Sequence, residues 1–297
     1  MCRGSAAASA NQTGFMRVIR DMDVLWMGTA NAWECDEMGH MNVRHYLAKA
    51  EDALALLLTD LGAGPRQVQR QHVRYHRETR AGTPLLIRGG VVADTAAPTI
   101  YIEFMSPHDG VIRASIVMTL DGGALPSRSA WPLPPHGAPR GLPETAPRAE
   151  ATLAQADAAG LREIYRGVVR RDQLDEAGLL RPHQVVALVS DGVAHLMMSL
   201  TPDRGTQAGV GGAALEQRII HRAPARLGDQ ITIRSGVMEA GEKTMRFCHW
   251  VLNRQTGEAV ATCEVVAVAF DLAARKALAL PAETRNQIGK MAVSVGL

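Results

Sequence analysis

Several things are scarce in this chain of 297 residues, and each scarcity excludes something. Cysteine occurs only at positions 2, 35, 248 and 263, with no CxxC spacing and no regular framework, so neither a zinc ribbon nor a disulfide scaffold is indicated and the chain reads as intracellular. No hydrophobic run is long. The most apolar short stretch, Ala53 to Leu58, falls far below the roughly 20 residues of a membrane span. The first residues, 1–15, are rich in Ala, Ser, Gly and Asn but lack the apolar block of a secretory signal; they read as a disordered terminus, and a cytoplasmic location is expected. Charge of one sign is missing too: 32 basic against 30 acidic residues leave a formal +2, which argues against a partner bound by phosphate neutralisation, such as nucleic acid. Lysine stands only at 49, 243, 276 and 290, so nearly all the positive charge is arginine, the better partner for a phosphate-bearing ligand.

Proline, by contrast, is crowded into one place. Pro126, Pro132, Pro134, Pro135, Pro139, Pro143 and Pro147 exclude a helix or strand interior there, so 122–158 reads as a Pro/Ala-rich linker with a short helix near its end, within Ala149 to Ala159. It separates two units, 16–121 and 159–272, with 273–297 left as a tail of packing or contact segments. The units resemble each other. At an offset of 146, Arg80, Gly82, Ile87, Arg88, Gly90 and Val91 match Arg226, Gly228, Ile233, Arg234, Gly236 and Val237. At an offset of 139, Trp26, Gly28, Asp36, Glu37 and Gly39 fall on Tyr165, Gly167, Asp175, Glu176 and Gly178. A duplicated unit should have one fold twice.

The order within each unit is a strand (24–33 and 164–171), a loop with Asp and Gly, a helix, then four strands. Tyr46, Leu47, Ala50, Ala53, Leu54, Leu57, Leu58 and Leu61 form a buried stripe that stops at Gly62. Pro182 suits a first helical turn, and Val185, Val186, Val189, Val193, Leu196, Met197 and Leu200 repeat the stripe. Ile231, Ile233, Ser235 and Val237 alternate with polar or small residues, the period of a sheet covered on one face. Asp109-Gly110 and Thr256-Gly257 read as hairpin turns at equivalent points. This pattern predicts an α+β protein in which a curved antiparallel sheet wraps a long helix, twice.

Chemistry concentrates between Trp33 and Leu47. There Asp36, Gly39, His40 and Asn42 precede a helix start, where unpaired N–H groups can hold a developing oxyanion and a nearby carboxylate can act as base or nucleophile. The structural alternative is that Asp36 and Asn42 only cap the helix and turn.

The run Asp-x-x-Gly-His-x-Asn-x-x-x-Tyr before a long helix and antiparallel strands resembles the signature of hotdog-fold acyl thioesterases of the 4-hydroxybenzoyl-CoA thioesterase type. Two such units resemble a double hotdog, the arrangement of acyl-ACP thioesterases. The resemblance covers about 22–121 and 162–271. It implies hydrolysis of an acyl-CoA or acyl-ACP thioester, with Asp36 activating water or attacking the carbonyl, the backbone N–H of Val43 polarising the carbonyl oxygen, and His40 and Asn42 positioning water or loop. No cofactor or metal is implied. The chain departs from the acyl-ACP pattern at Met38, where those enzymes have Asn. In the second half Asp175 remains as a second-site candidate, but Leu179 and Arg181 replace the His and Asn. Asp191 or His195 would then complete the first site from the other unit.

Further candidates are weaker. Arg74, Arg77 and Arg80, with Arg44 and Gly39 at the helix start, are candidates for holding substrate phosphates, against a solvated strand face. His45, His72 and His76 lack a recognisable third-ligand spacing and read as ordinary histidines; Tyr46 reads as a packing residue. A non-catalytic acyl-CoA-binding module is the main alternative. A hotdog enoyl-CoA hydratase ranks lower because neither half has its Asn-Pro step. Acyl length and type, and whether the chain forms a homodimer, stay open.

Overall fold

The computed structural model describes residues 22–36, 38–126, 130–143, 147–148, 150–200, 210–271, 273–274 and 276–295. The expected disordered terminus, 1–15, and Pro202 lie outside them.

In the first half, β1 (Asp23–Thr29) leads into helix α1 (Val43–Asp60), followed by β2 (Val68–Tyr75), β3 (Pro84–Val91), β4 (Thr99–Met105) and β5 (Ile112–Leu120). The second half repeats this after a short helix α2 (Leu153–Ala158): β6 (Arg162–Val168), helix α3 (Pro182–Leu200), then β7 (Val210–His221), β8 (Gln230–Ala240), β9 (Thr244–Asn253) and β10 (Ala259–Asp271). A short β11 (Lys276–Ala277) and helix α4 (Ala282–Lys290) follow. The two initial strands are shorter than their sequence runs predict. Each ends in a 3-10 turn, Ala32–Glu34 and Arg171–Gln173, because Glu34 and Gln173 reach back to the backbone N–H of Asn31 and Arg170 and curl the chain.

All these strands join one antiparallel sheet in the order β1-β3-β4-β5-β2-β7-β10-β9-β8-β6, with β11 on β10. The halves meet at β2 and β7, from Arg70 opposite Ile220 to Arg74 opposite Glu216. Alternation along the strands gives the sheet two chemically different faces. The inner face meets the helices. Leu47, Ala50, Ala53, Leu54, Leu57 and Leu58 of α1 and Val185, Val186, Leu188, Val189, Leu196 and Leu200 of α3 share one core with Val73, Ile87, Ile102, Ile116, Ile219, Ile233 and Val251. Helix α3 approaches β6 closely enough that a Cβ on Gly192 would lie 3.0 Å from the carbonyl oxygen of Ile164.

The outer face carries the Pro-rich segment, which is not a free tether. Trp131 exchanges backbone hydrogen bonds with Val91 and Ala93. Arg74 donates to the carbonyls of His136 and Ala138, Glu216 accepts from the N–H groups of Arg140 and Gly141, and Arg222 donates to the carbonyl of Arg148. The segment is thus a strap that crosses the back of both halves. Proline suits it because the strap's bonds come from outside rather than from a ladder of its own. The tail also belongs to the second half: Ile288 is buried in the common core, and Val293 donates its N–H to Val237.

Candidate active site

The loop before α1 is built around Asp36. Its backbone N–H bonds the carbonyl of His40, Gly39 donates back to its carbonyl, and its Oδ1 accepts from the N–H groups of Met38 at 2.9 Å and His40 at 3.0 Å. Gly39 takes φ of 74°, a conformation that glycine adopts without strain. Asp175 builds the same turn in the second half, with Leu179 N–H on its Oδ1 at 2.9 Å and Gly178 at φ 77°. One oxygen of each aspartate is therefore a loop fastener. Asp36 Oδ2 has no hydrogen-bond partner among the described residues.

The two loops diverge where they become helices. Asn42 caps α1, its Oδ1 accepting from Arg44 N–H at 3.1 Å, while the N–H of Val43 has no acceptor among the described residues. By the 139-residue offset, Arg181 and Pro182 stand at these two places. A proline there has no N–H to offer. The second helix start is also occupied. Glu51 of α1 receives the N–H of His183 on Oε1 at 2.6 Å and lies 2.8 Å from its Nδ1 through Oε2.

Residues that the motif does not contain complete the first loop. His40 is buried, with Nε2 3.5 Å from Glu78 Oε2. Thr79 accepts the Met41 N–H on its carbonyl, and its hydroxyl accepts from Tyr46 at 2.8 Å. Tyr46 packs edge-on against Tyr75 and Phe104, and burial pushes its phenol up to about 12. The packing role expected of Tyr46 is thus joined by a hydrogen bond that ties α1 to the segment following β2. Behind the loop, Lys49 lies on α1 at 2.7 Å from Glu34 and over the Trp26 ring. Burial works to raise the Glu34 carboxyl, but the Asn31 N–H and the Lys49 ammonium outweigh it and leave it lowered. Burial, assisted by the Arg44 charge, lowers His45.

The backbone bond survives in the other half, as Leu180 N–H to the Ala225 carbonyl, but the side-chain pairs disappear there, and both members change together. His40 and Glu78 correspond to Leu179 and Pro224, Tyr46 and Thr79 to Val185 and Ala225, Lys49 and Glu34 to Leu188 and Gln173. The shared turn is therefore structural, and the polar set around it is peculiar to the first half. Reading the motif alone missed Glu78, Thr79, Glu34 and Lys49. The signal was present in the internal repeat, as paired losses of polarity.

Other expected residues are dispersed. Arg44, Arg77 and Arg80 are exposed, and the backbone of Arg80 pairs with that of His40 beside the loop. Arg74 points to the outer face, where the strap carbonyls take its N–H groups, so it does not join them. Asp191 and His195 are exposed on α3; the helix-to-helix polar contact is made by Glu51 and His183 instead. His72 pairs with Glu216 and His76 with Ser115 on the outer side, and no group of three potential metal ligands occurs among the described residues.

Solved structures with this arrangement exist at low identity. An acyl-ACP thioesterase from Bacteroides thetaiotaomicron is 11% identical with a TM-score of 0.56, covering 82% of this chain and 96% of that one. A protein described as an oleoyl thioesterase from Lactobacillus plantarum gives 11% and 0.58 over 84% and 97%. The 12:0-ACP thioesterase from Umbellularia californica gives 12% and 0.57 over 82% and 93%. At such identity these show the fold, two tandem hotdog units. No curated protein sequence matches the chain. The model of one family matches both halves, residues 30–136 and 169–288, which is most of the sequence: the chain belongs to the thioesterase-like superfamily.

Proposed function

We propose that this thioesterase hydrolyses acyl-CoA or acyl-ACP thioesters at one site per chain, the loop in front of α1. We read each half as a hotdog unit whose long helix is wrapped by its part of the sheet, with the thioester carbonyl placed at the helix start. There the Val43 N–H would receive the carbonyl oxygen as it gains charge. Asp36 Oδ2, left over after Oδ1 has built the turn, would take a proton from the attacking water as general base. The proton then goes to the departing thiolate, and the acid and thiol are released. A direct attack by Asp36 on the carbonyl is the second form of the same chemistry. His40, steadied by Glu78, and Asn42 would hold the loop and water in place.

The observation that carries this reading is the difference between Val43 and Pro182. A fold that needed only a stable turn could use either residue at both places. This chain keeps an N–H without an acceptor among the described residues at the first helix start and removes it at the second, where Glu51 covers the helix start. The names of the similar structures support acyl-ACP or a related thioester as the substrate class. The test is thiol release from a panel of acyl-CoA and acyl-ACP thioesters. Turnover supports the hydrolase, whereas saturable binding without turnover would support the non-catalytic module.

A further inference from the structure

The seam between β2 and β7 has a polar centre on its inner, helix-facing side. Gln71 and His221 meet across it, with Oε1 and Nε2 3.1 Å apart, and the Tyr75 hydroxyl donates to Gln217 Oε1 at 3.1 Å. The 146-residue offset relates Gln71 to Gln217 and Tyr75 to His221, so the two pairs are copies of one arrangement. Val73 and Ile219, which alternate with them on the same face, belong to the apolar core. Gln71 is fully buried and the amide nitrogen of its side chain has no hydrogen-bond partner among the described residues. If the amide is turned over, the oxygen is left in that state instead. Burial lowers His221 to about 4, so it is neutral and contributes no charge at neutral pH.

Such a group is costly in a core, because a buried amide without its full set of partners has lost water and gained nothing. Apolar residues would fill the seam at less cost, and a saturated acyl chain would prefer them. The cluster is also connected to the candidate active site. Tyr75 touches the Tyr46 ring, Tyr46 bonds Thr79, and Thr79 bonds the Met41 backbone at the end of the Asp36 loop.

We propose that Gln71, Tyr75, Gln217 and His221 determine acyl specificity, by recognising an oxygen-bearing substituent, keto or hydroxyl, on the acyl group away from the thioester. This rests on the hydrolase reading above. A polar group in that position would receive the spare donor at the seam, and an acyl chain without one would leave it unpaired.

The experiment compares kcat/KM for acyl-CoA pairs of equal length, one saturated and one bearing a keto or hydroxyl oxygen at successive positions. Wild type is expected to favour an oxygenated member about tenfold or more. The double variant Gln71→Leu/Gln217→Leu should bring that ratio to about one, and Tyr75→Phe, which removes a single hydroxyl in place, should lower it partway. A wild-type ratio at or below one for every position, or folded variants that keep the wild-type ratio, would overturn the inference. Failure of the hydrolase reading is read separately, as no thiol release from any thioester. In that case thermal shifts of the full chain with the same pairs decide: a larger shift with the oxygenated member, reduced in Tyr75→Phe and abolished in Gln71→Leu/Gln217→Leu, supports the seam's role, and equal shifts reject it.

Discussion

Glu51 on α1 caps the start of α3, taking the His183 N–H at 2.6 Å and lying 2.8 Å from its imidazole. The contact joins the two halves through their helices and places negative charge at the positive end of α3. Glu51→Ala should therefore lower stability by about 1–2 kcal/mol, the range of a lost helix cap. Hydrolysis at the first loop should persist. Denaturant unfolding and kinetics on the same preparation check both, and a collapse of kcat in a folded variant would move the chemistry to the second helix.

Val43→Pro copies the second half into the first. The geometry permits it, since Asn42 has φ −61° and ψ 142°, an extended conformation that a following proline accepts. Thermal stability should be close to wild type while kcat falls about 10²- to 10³-fold, the usual effect of losing an oxyanion donor. Unchanged kcat would remove the backbone N–H from the mechanism.

Asp36→Asn retains an Oδ1 that can still accept from Met38 and His40, so the loop should stay folded. Its kcat should fall about 10²- to 10⁴-fold through loss of a base. Asp175→Asn should leave turnover as it is. Equal losses from the two would contradict a single site.

Glu78→Gln keeps the size of the side chain but removes the charge beside His40. The expected result is lower kcat with KM little changed, because the loop loses the carboxylate that steadies His40. Unchanged kcat in the folded variant would reduce Glu78 to a packing residue.

Acid should loosen the strap. Burial alone would raise the Glu216 carboxyl, but His72 and the N–H groups of Arg140 and Gly141 outweigh it and hold it at about 2, below the ordinary 4.5. A carboxyl lowered by folding stabilises the protein above the ordinary value and loses that contribution as pH falls from about 4.5 toward about 2. Melting temperature across that window should drop more steeply in wild type than in Glu216→Gln, which has no carboxyl to titrate.

Much of the fold was legible in the sequence because the repeat and the helix stripes are local patterns. The stop at Gly62, with φ of 66°, and the turns at Gly110 and Gly257 follow from residue type alone. The strap was not legible. Proline density excludes regular structure, but it cannot tell a tether from a segment held by Arg74, Glu216 and Arg222, since those partners lie far away in sequence. The Asp36 loop was legible as a turn with a capped helix after it. Glu78 and Thr79 were not, because residues more than 30 positions downstream meet the loop only once β2 has returned beneath α1.

The strap has one more consequence. Two identical subunits around a two-fold axis must carry every substitution twice, so a proline that silences one catalytic loop would silence its twin. Covalent fusion frees the copies from that symmetry. Pro182 and Glu51 can then fix the start of the second helix while Val43 and Ser190, their counterparts, carry no such constraint, so the two halves of one polypeptide need not present equivalent loops.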